Sequence, residues 1–460
     1  MLPNMTQVGA VAIMAGGKGT RMQSELTKVR HPVGGLPMLV YPVLAAQHAG
    51  AEKVIVITGP DDDFADVLPG GAGTVTQPIA NGTGGAIKCA EAEIGDAEQV
   101  IVLSGDVPLI DAEFVAGLAA AQAESGAAMV VATARLDDPS GYGRIVRGAD
   151  NSVVRVAETK VAGDADDAEL HIDEVNAGIY AFDREQLFSA LAEVGTDNAQ
   201  GEYYLPDVLP ILKRRGKKVI AFELDTPELM LGVNDRADLS VVQQLMNERI
   251  VTDHQLMGVT VTDPGSTWID ATVEIGPDTL IEPATYLRGH TTIGARATIG
   301  PMTTIAHCEI ADDATVVHSY LIQAKVGAGA SVGPFAYLRP DAELGAGAKV
   351  GTFVEVKNSV IGDGAKVPHL SYIGDADVGA NANLGAATIT ANYDGKSKHR
   401  TTIGEGVRTG VDTTLVAPVT VGDGAYTGAG SVITKDVDAD ALAVARARQK
   451  SIANYAQRKQ

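Results

Sequence analysis

Apolar runs alternate with polar, helix-spaced stretches over roughly the first half of the chain. An apolar segment, VGAVAIM from residue 8, leads into the glycine-rich turn AGGKGTRM (15–22). A helical stretch around 38–49 and a second apolar run, KVIVITG (53–59), follow, and VIVLSGDVPLI (100–110) and AAMVVATA (127–134) repeat the strand pattern. This alternation predicts an α/β domain of Rossmann-like type over residues 1–236, with a mainly parallel sheet covered by helices. Leu239, Val242, Leu245, Met246 and Ile250 then recur at helical spacing without an internal Gly or Pro, which predicts a linker helix over 237–258.

The period changes beyond residue 259. Aliphatic residues fall on every sixth position at Ile275, Ile281, Leu287, Ile293, Ile299 and Ile305, and again at Val326, Val332, Leu338, Leu344, Val350 and Val356. Sustained hexads fit neither a helix nor an ordinary strand, but they do fit a β-helix, in which each hexad gives one short strand and a turn. The aliphatic points into the prism and small residues form the corners. Three hexads close a coil, so about nine coils occupy 270–435, roughly 43 Å of prism at the usual strand spacing. The breaks at 306–325 and 390–402 read as loops leaving the prism, and residues 441–460 read as a basic tail beyond the 259–440 domain. Such loops are favoured places for function.

Composition narrows the classes. The chain has 36 Lys plus Arg against 58 Asp plus Glu, a formal net charge of -22, which argues against duplex nucleic acid and against an anionic membrane as partner. An anionic ligand then needs local basic clusters. Lys18, Arg21, Lys28 and Arg30 form one, and Arg446, Arg448, Lys450, Arg458 and Lys459 form another. Two cysteines, Cys89 and Cys308, suit a reducing compartment. Neither a leader pattern nor about 18 consecutive apolar residues is evident, so the expectation is a soluble, cytoplasmic protein.

Chemistry concentrates in two places. In AGGKGTRM the glycines let a phosphate chain approach backbone N–H groups, with Lys18, Arg21 and Lys28 nearby; no Walker loop is present. Gln77 and the turn Asn81-Gly82-Thr83-Gly84-Gly85 precede a helix. Asp106 ends a strand, where open α/β sheets bind ligands, and is a candidate magnesium ligand; a helix-capping Asp is the plain alternative. In the second half, the stretch 366–404 combines His369, Tyr372, Asn383, Asn392, Tyr393 and Asp394, more polar groups than a prism wall requires.

The ordered motifs AGGKGTRM, TKV, NGTGG, SGD, YGRI (142–145), ETK (158–160), NAGIY (176–180) and GVNDR (232–236) resemble sugar-1-phosphate nucleotidyltransferases. Together with the 366–404 block, the chain is most similar to the bacterial bifunctional N-acetylglucosamine-1-phosphate uridylyltransferase and glucosamine-1-phosphate N-acetyltransferase family, over nearly its whole length. The resemblance implies that Ala15, Gly17, Gln77, Gly82 and Thr83 hold the uridine part of UTP, and Arg21 and Lys28 its phosphates. It implies Gly143, Glu158 and Asn176 for the sugar, with Asp106 and Asn234 on Mg2+. For acetyl transfer it implies His369 as general base, Arg339 (in YLRP) and Lys357 (in VEVK) on the sugar phosphate, and Tyr372 and Asn383 around the sugar. Ala386 would stabilise the oxyanion, Asn392 and Tyr393 would lie near the acetyl group, and Ala429 and Arg446 would contact coenzyme A. The implied substrates are UTP, glucosamine-1-phosphate, N-acetylglucosamine-1-phosphate and acetyl-CoA, and the implied assembly is a homotrimer.

Five positions depart from the family pattern. Gly16 stands where Ala is usual, Thr27 where Pro often precedes the lysine, Gly85 where His is common, Pro368 where Gly is frequent, and Val411 where a serine usually bonds the coenzyme. Three other readings stay open on the residues alone. One is a single-activity hexose-1-phosphate nucleotidyltransferase with a regulatory β-helix, and another a non-catalytic nucleotide-sugar-binding scaffold. The third, a γ-type carbonic anhydrase, would need three convergent histidines.

Overall fold

The computed structural model describes residues 8–159, 165–197 and 201–459, and divides into two compact units, 1–246 and 247–460. The division falls within the helix Arg236–Leu256. Lys160 of the ETK motif lies outside the described residues.

In the first unit, Val8–Met14 is flanked in parallel by Ala51–Thr58 and Gln99–Ser104, and Ala72–Thr76 extends the sheet beside Ala51–Thr58. Alternate residues of the first strand point to opposite faces. Ala10, Val11, Ala12 and Ile13 are all fully buried, so helices cover both sides. Met129–Arg135 pairs in parallel with Val219–Glu223, while Glu174–Asp183 runs antiparallel between Gln99–Ser104 and Met129–Arg135. A hairpin, Arg144–Arg147 with Val153–Ala157, hangs from that antiparallel strand. Apart from this hairpin, the sheet is therefore mainly parallel with one reversed strand.

The second unit carries three parallel sheets whose strands are contributed in rotation, the arrangement of a left-handed parallel β-helix. The aliphatic hexads pair with themselves from coil to coil: Ile281 with Ile299, Val316 and Val332 on one face, Leu287 with Ile305, Leu321 and Leu338 on the next. The longest face has ten strands, from Trp268–Ile269 to Val432–Ile433.

The structure corrects one expected loop. Residues 306–325 do not leave the prism; they form the strands Glu309–Ile310, Thr315–Val316 and Tyr320–Ile322, in register with their neighbours. The break in period arises at shortened corners, where the inward residues Ile305 and Ile310, Val316 and Leu321, and Leu321 and Val326 stand five apart and a left-handed residue, His307, His318 or Gln323, makes the turn. The second break is a true excursion, residues 392–400, between the strands Ile389–Ala391 and Thr401–Ile403.

Pro368 has a visible effect on the ladder. Lys366 donates to the Ala382 carbonyl and accepts from Leu384, so the next ladder bond would need an N–H at 368, which proline lacks. Beyond Lys366–His369 this face continues as single bridges, Lys366 to Asn383, Asn383 to Arg408 and Arg408 to Tyr426, before a short ladder resumes between Tyr426–Thr427 and Leu442–Ala443.

Candidate functional site

Three parallel strands of the first unit end beside one cavity of about 750 Å³. Ala15 follows Val8–Met14, Gln77 follows Ala72–Thr76 and Asp106 follows Gln99–Ser104, which is the carboxyl edge where open sheets bind ligands. Its lining also includes Gly17, Lys28, Gly82, Thr83, Gly143, Glu158, Asn176 and Asn234, so it gathers all the expected nucleotide, sugar and metal residues but one. Arg21 lines an adjoining hollow of about 710 Å³, where it donates to Asn234 Oδ1 at 2.9 Å.

The Asp106 carboxylate is held from two sides, by the Lys28 ammonium and by Ser104 Oγ at 2.6 Å. The Val233 N–H donates to the Asp106 carbonyl at 2.9 Å, which fixes the turn carrying Asn234 beside it. One carboxylate and one amide oxygen suit a hard divalent cation that takes its other oxygens from water and phosphate. Tyr142, which lines both hollows, keeps its hydroxyl proton firmly: burial pushes its pKa up, and the charges of Asp238 and Asp106 add to that.

Asn176 is aimed by a bulge. Register shifts between Asn176 and Tyr180, Gly178 adopts a left-handed φ of 71°, and Asn176 Nδ2 donates to the Tyr180 hydroxyl at 2.7 Å. The NGTGG turn is strapped by residues that sequence reasoning missed. Gly84 N donates to the Tyr203 carbonyl at 2.8 Å, Tyr203 N to the Asn81 carbonyl at 2.8 Å, and Leu205 N to Thr83 Oγ1 at 3.0 Å. No local motif marks 203–205; only the fold brings them here.

In the second unit, register explains the scattered acetyl-site residues. The bridges 366–383, 383–408 and 408–426 put residues three positions further on, His369, Ala386, Val411 and Ala429, at one place on four successive coils. The Ala387 N–H donates to the His369 carbonyl and the Asp412 N–H to the Ala386 carbonyl, stitching this column together. His369 and Val411 are exposed, and the Ala386 N–H meets no acceptor among the described residues.

A second column lies on the adjoining face. The ladder pairs Leu338 with Val356 and Lys357 with Gly374, so Arg339, Lys357 and Gly374 follow one another. Asp375, which sequence reasoning missed, is the hub: its carboxylate is buried and accepts from Lys357 Nζ at 2.9 Å, from Asn358 Nδ2 at 2.6 Å and from Asn392 Nδ2. Burial pushes the Asp375 pKa up, but the bonds from Asn358, Lys357 and Asn392 outweigh it and hold the carboxyl below its ordinary range. The Asp375 bond raises the Lys357 pKa, so that ammonium stays charged. Lys398, from the 392–400 excursion, lies close enough to Lys357 that its own pKa falls. Arg339 pairs with Glu355 at 2.9 Å. The Tyr372 hydroxyl accepts from Asn392 at 3.4 Å, above Gly374, where any Cβ would strike both. Asn383 and Tyr393 are exposed, and Arg446 lies in the exposed tail, joined to none of these groups by a hydrogen bond.

A triphosphate-sized cavity at the edge of a mainly parallel sheet, and a hexad prism bearing a histidine column and a cationic cluster, define a two-domain transferase. Residues 11–200 match the MobA-like NTP transferase domain, and 272–307 and 400–435 the bacterial transferase hexapeptide. The chain is 47% identical over 98% of its length to "Bifunctional protein GlmU" of Mycobacterium tuberculosis (strain ATCC 25177 / H37Ra), covering 92% of that protein. It shows the same identity and coverage with its namesake in Mycobacterium sp. (strain KMS). A solved UDP-glucose pyrophosphorylase complexed with UDP-glucose aligns with 53% of this chain and 100% of its own, at 17% identity and a TM-score of 0.43. The chain belongs to the bifunctional GlmU family. It is a nucleotidyltransferase and acetyltransferase that makes UDP-N-acetylglucosamine in two steps, and its nucleotidyl transfer uses a divalent metal.

Proposed function

We propose that the metal is Mg2+, held by Asp106 and Asn234, and that it offsets charge on the phosphates as pyrophosphate leaves. Ala15, Gly17, Gln77, Gly82 and Thr83 hold uridine. Gly143, Glu158 and Asn176 hold N-acetylglucosamine-1-phosphate so that its phosphate oxygen faces the α-phosphorus of UTP. The new P–O bond forms as the bond from the α-phosphorus to the bridging oxygen breaks, and Lys28 and Arg21 offset the charge on the departing pyrophosphate. The gathering of these groups, all but Arg21, around one cavity is the observation that carries this reading.

In the second unit, Arg339 and Lys357 grip the phosphate of glucosamine-1-phosphate, with Tyr372 and Asn383 at the sugar. The sugar amine attacks the thioester carbonyl of acetyl-CoA, His369 takes the amine proton, and the Ala386 N–H holds the oxyanion until the thiolate leaves. Asn392 and Tyr393 lie by the acetyl group, and Ala429 and Arg446 by the coenzyme. Val411 offers no hydroxyl in the column between Ala386 and Ala429, so the coenzyme is held there by apolar contact alone.

The chain works as a cytoplasmic homotrimer in this account. A convex prism has no deep pocket of its own, so the coenzyme is enclosed between chains. Among the described residues no helix is long and apolar enough to cross a membrane. The test is to supply glucosamine-1-phosphate, acetyl-CoA, UTP and Mg2+ and identify the product. UDP-N-acetylglucosamine with release of coenzyme A and pyrophosphate is expected. Release of pyrophosphate without consumption of acetyl-CoA would favour a single-activity nucleotidyltransferase.

A further inference from the structure

The Ala386 N–H belongs to the same peptide group as the Gly385 carbonyl, and across a trans peptide the two point in opposite directions. Whatever grips that carbonyl therefore aims the N–H. The Gly385 carbonyl accepts from Thr388 Oγ1 at 2.7 Å and from Thr388 N at 3.2 Å. On the other side of the residue, the Gly385 N–H donates to Thr409 Oγ1 at 2.8 Å, and the two threonine hydroxyls lie 2.8 Å apart.

The count of hydrogens gives these bonds one sense. A carbonyl oxygen only accepts, a backbone N–H only donates, and each hydroxyl has a single hydrogen. Thr388 uses its hydrogen on the Gly385 carbonyl, so the bond between the hydroxyls has Thr409 as donor. The ring closes from the Gly385 N–H to Thr409, from Thr409 to Thr388, and from Thr388 back to the Gly385 carbonyl. Thr388 is 0% exposed and Thr409 7%, so the carbonyl is turned into the corner of the prism and the Ala386 N–H away from it. A Cβ at 385 would lie 2.6 Å from the Gly410 carbonyl carbon, so glycine is what lets the next coil come close enough for Thr409 to reach. A similar ring stands one coil on, where Gly410 N donates to Thr427 Oγ1 at 3.0 Å and Thr413 Oγ1 to the Gly410 carbonyl at 2.8 Å. There the N–H is shared with the Thr427 carbonyl, whereas the Thr409 hydroxyl is the sole acceptor for the Gly385 N–H among the described residues.

We infer that Thr388 and Thr409 are positioning residues for acetyl transfer, which hold the Gly385–Ala386 peptide so that its N–H meets the oxyanion formed on the thioester carbonyl. A donor aimed in advance needs no reorganisation when the charge develops. Without the hydroxyls the peptide keeps only the longer bond from Thr388 N and can tilt. The loss then falls on the transition state, where the oxyanion exists, and not on the bound substrates, so it shows in kcat and not in KM.

This rests on the assignment of Ala386 to the oxyanion, and the experiment separates the two claims. The kcat of acetyl transfer and the KM values for acetyl-CoA and glucosamine-1-phosphate are measured for the full chain and for T388V, T409V, T388S and T409S, with T388A and T409A as substitutes should either valine variant fail to fold. Removing either hydroxyl is expected to lower kcat by about 2- to 13-fold, the equivalent of one hydrogen bond, with both KM values unchanged. The serine variants keep the hydroxyl and are expected to keep wild-type kcat. Wild-type kcat in the variants that lack a hydroxyl, or serine variants that fall as far as these, would overturn the inference. In parallel, L-lactate introduced at position 386 turns the amide into an ester and removes the N–H, which is expected to lower kcat by about 10²- to 10³-fold. Unchanged kcat in the ester would instead overturn the assignment of Ala386.

Discussion

Asp375 shows how much one buried carboxylate organises. It holds Lys357, Asn358 and Asn392 at once, and none of these bonds is available to a protonated acid in the same strength. Its pKa is depressed in the folded chain, so its contribution to stability is present above the unfolded carboxylate value and is lost as pH falls through the folded one. D375N is therefore expected to be less stable than wild type at pH 7 by on the order of 1 to 3 kcal/mol, with the gap closing below roughly pH 4. Urea unfolding at pH 7 and pH 3 checks this, and an equal gap at both would remove the charge from the explanation. His369 belongs to the same scale. H369A is expected to lower acetyl-transfer turnover by about 10²- to 10⁴-fold, with uridylyl transfer unaffected. Near wild-type turnover in H369A would assign proton removal to another group.

At the scale of elements, what was legible in the sequence followed from what is local. The strands from 8, 53, 100 and 127 announce themselves because their apolar runs are buried on both faces, and the hexads because each inward aliphatic stacks on the next. The antiparallel strand Glu174–Asp183 and the hairpin beside it were not legible, since their pairing depends on distant partners. Counting sixes also fails at 306–325, where the prism tolerates a corner one residue short while keeping its ladder. Motifs announced most of the cavity lining, but not Tyr203 or Asp375, whose roles exist only through contacts. Gly374 tests the packing of the second column. In G374A the added methyl would meet the Tyr372 hydroxyl and Asn392 Nδ2, so a loss of about 1 to 3 kcal/mol in stability is expected, with a raised KM for glucosamine-1-phosphate. Unchanged stability and KM would mean that Tyr372 and Asn392 can move aside freely.

For the whole molecule, two compact units with separate cores carry two chemistries. A fragment of residues 1–246 is expected to fold and to transfer uridylyl groups to N-acetylglucosamine-1-phosphate, with no acetyl transfer; a folded but inert fragment would show that the first site needs the second unit. The most direct test of two independent sites crosses two variants, D106A and H369A, each given glucosamine-1-phosphate, acetyl-CoA, UTP and Mg2+. D106A is expected to stop at N-acetylglucosamine-1-phosphate, and H369A to make UDP-N-acetylglucosamine only when N-acetylglucosamine-1-phosphate is supplied. An equimolar mixture of the two should make the nucleotide sugar from the starting materials. If either folded variant loses both activities, or the mixture fails while each half-reaction proceeds, the account of two separable sites is wrong.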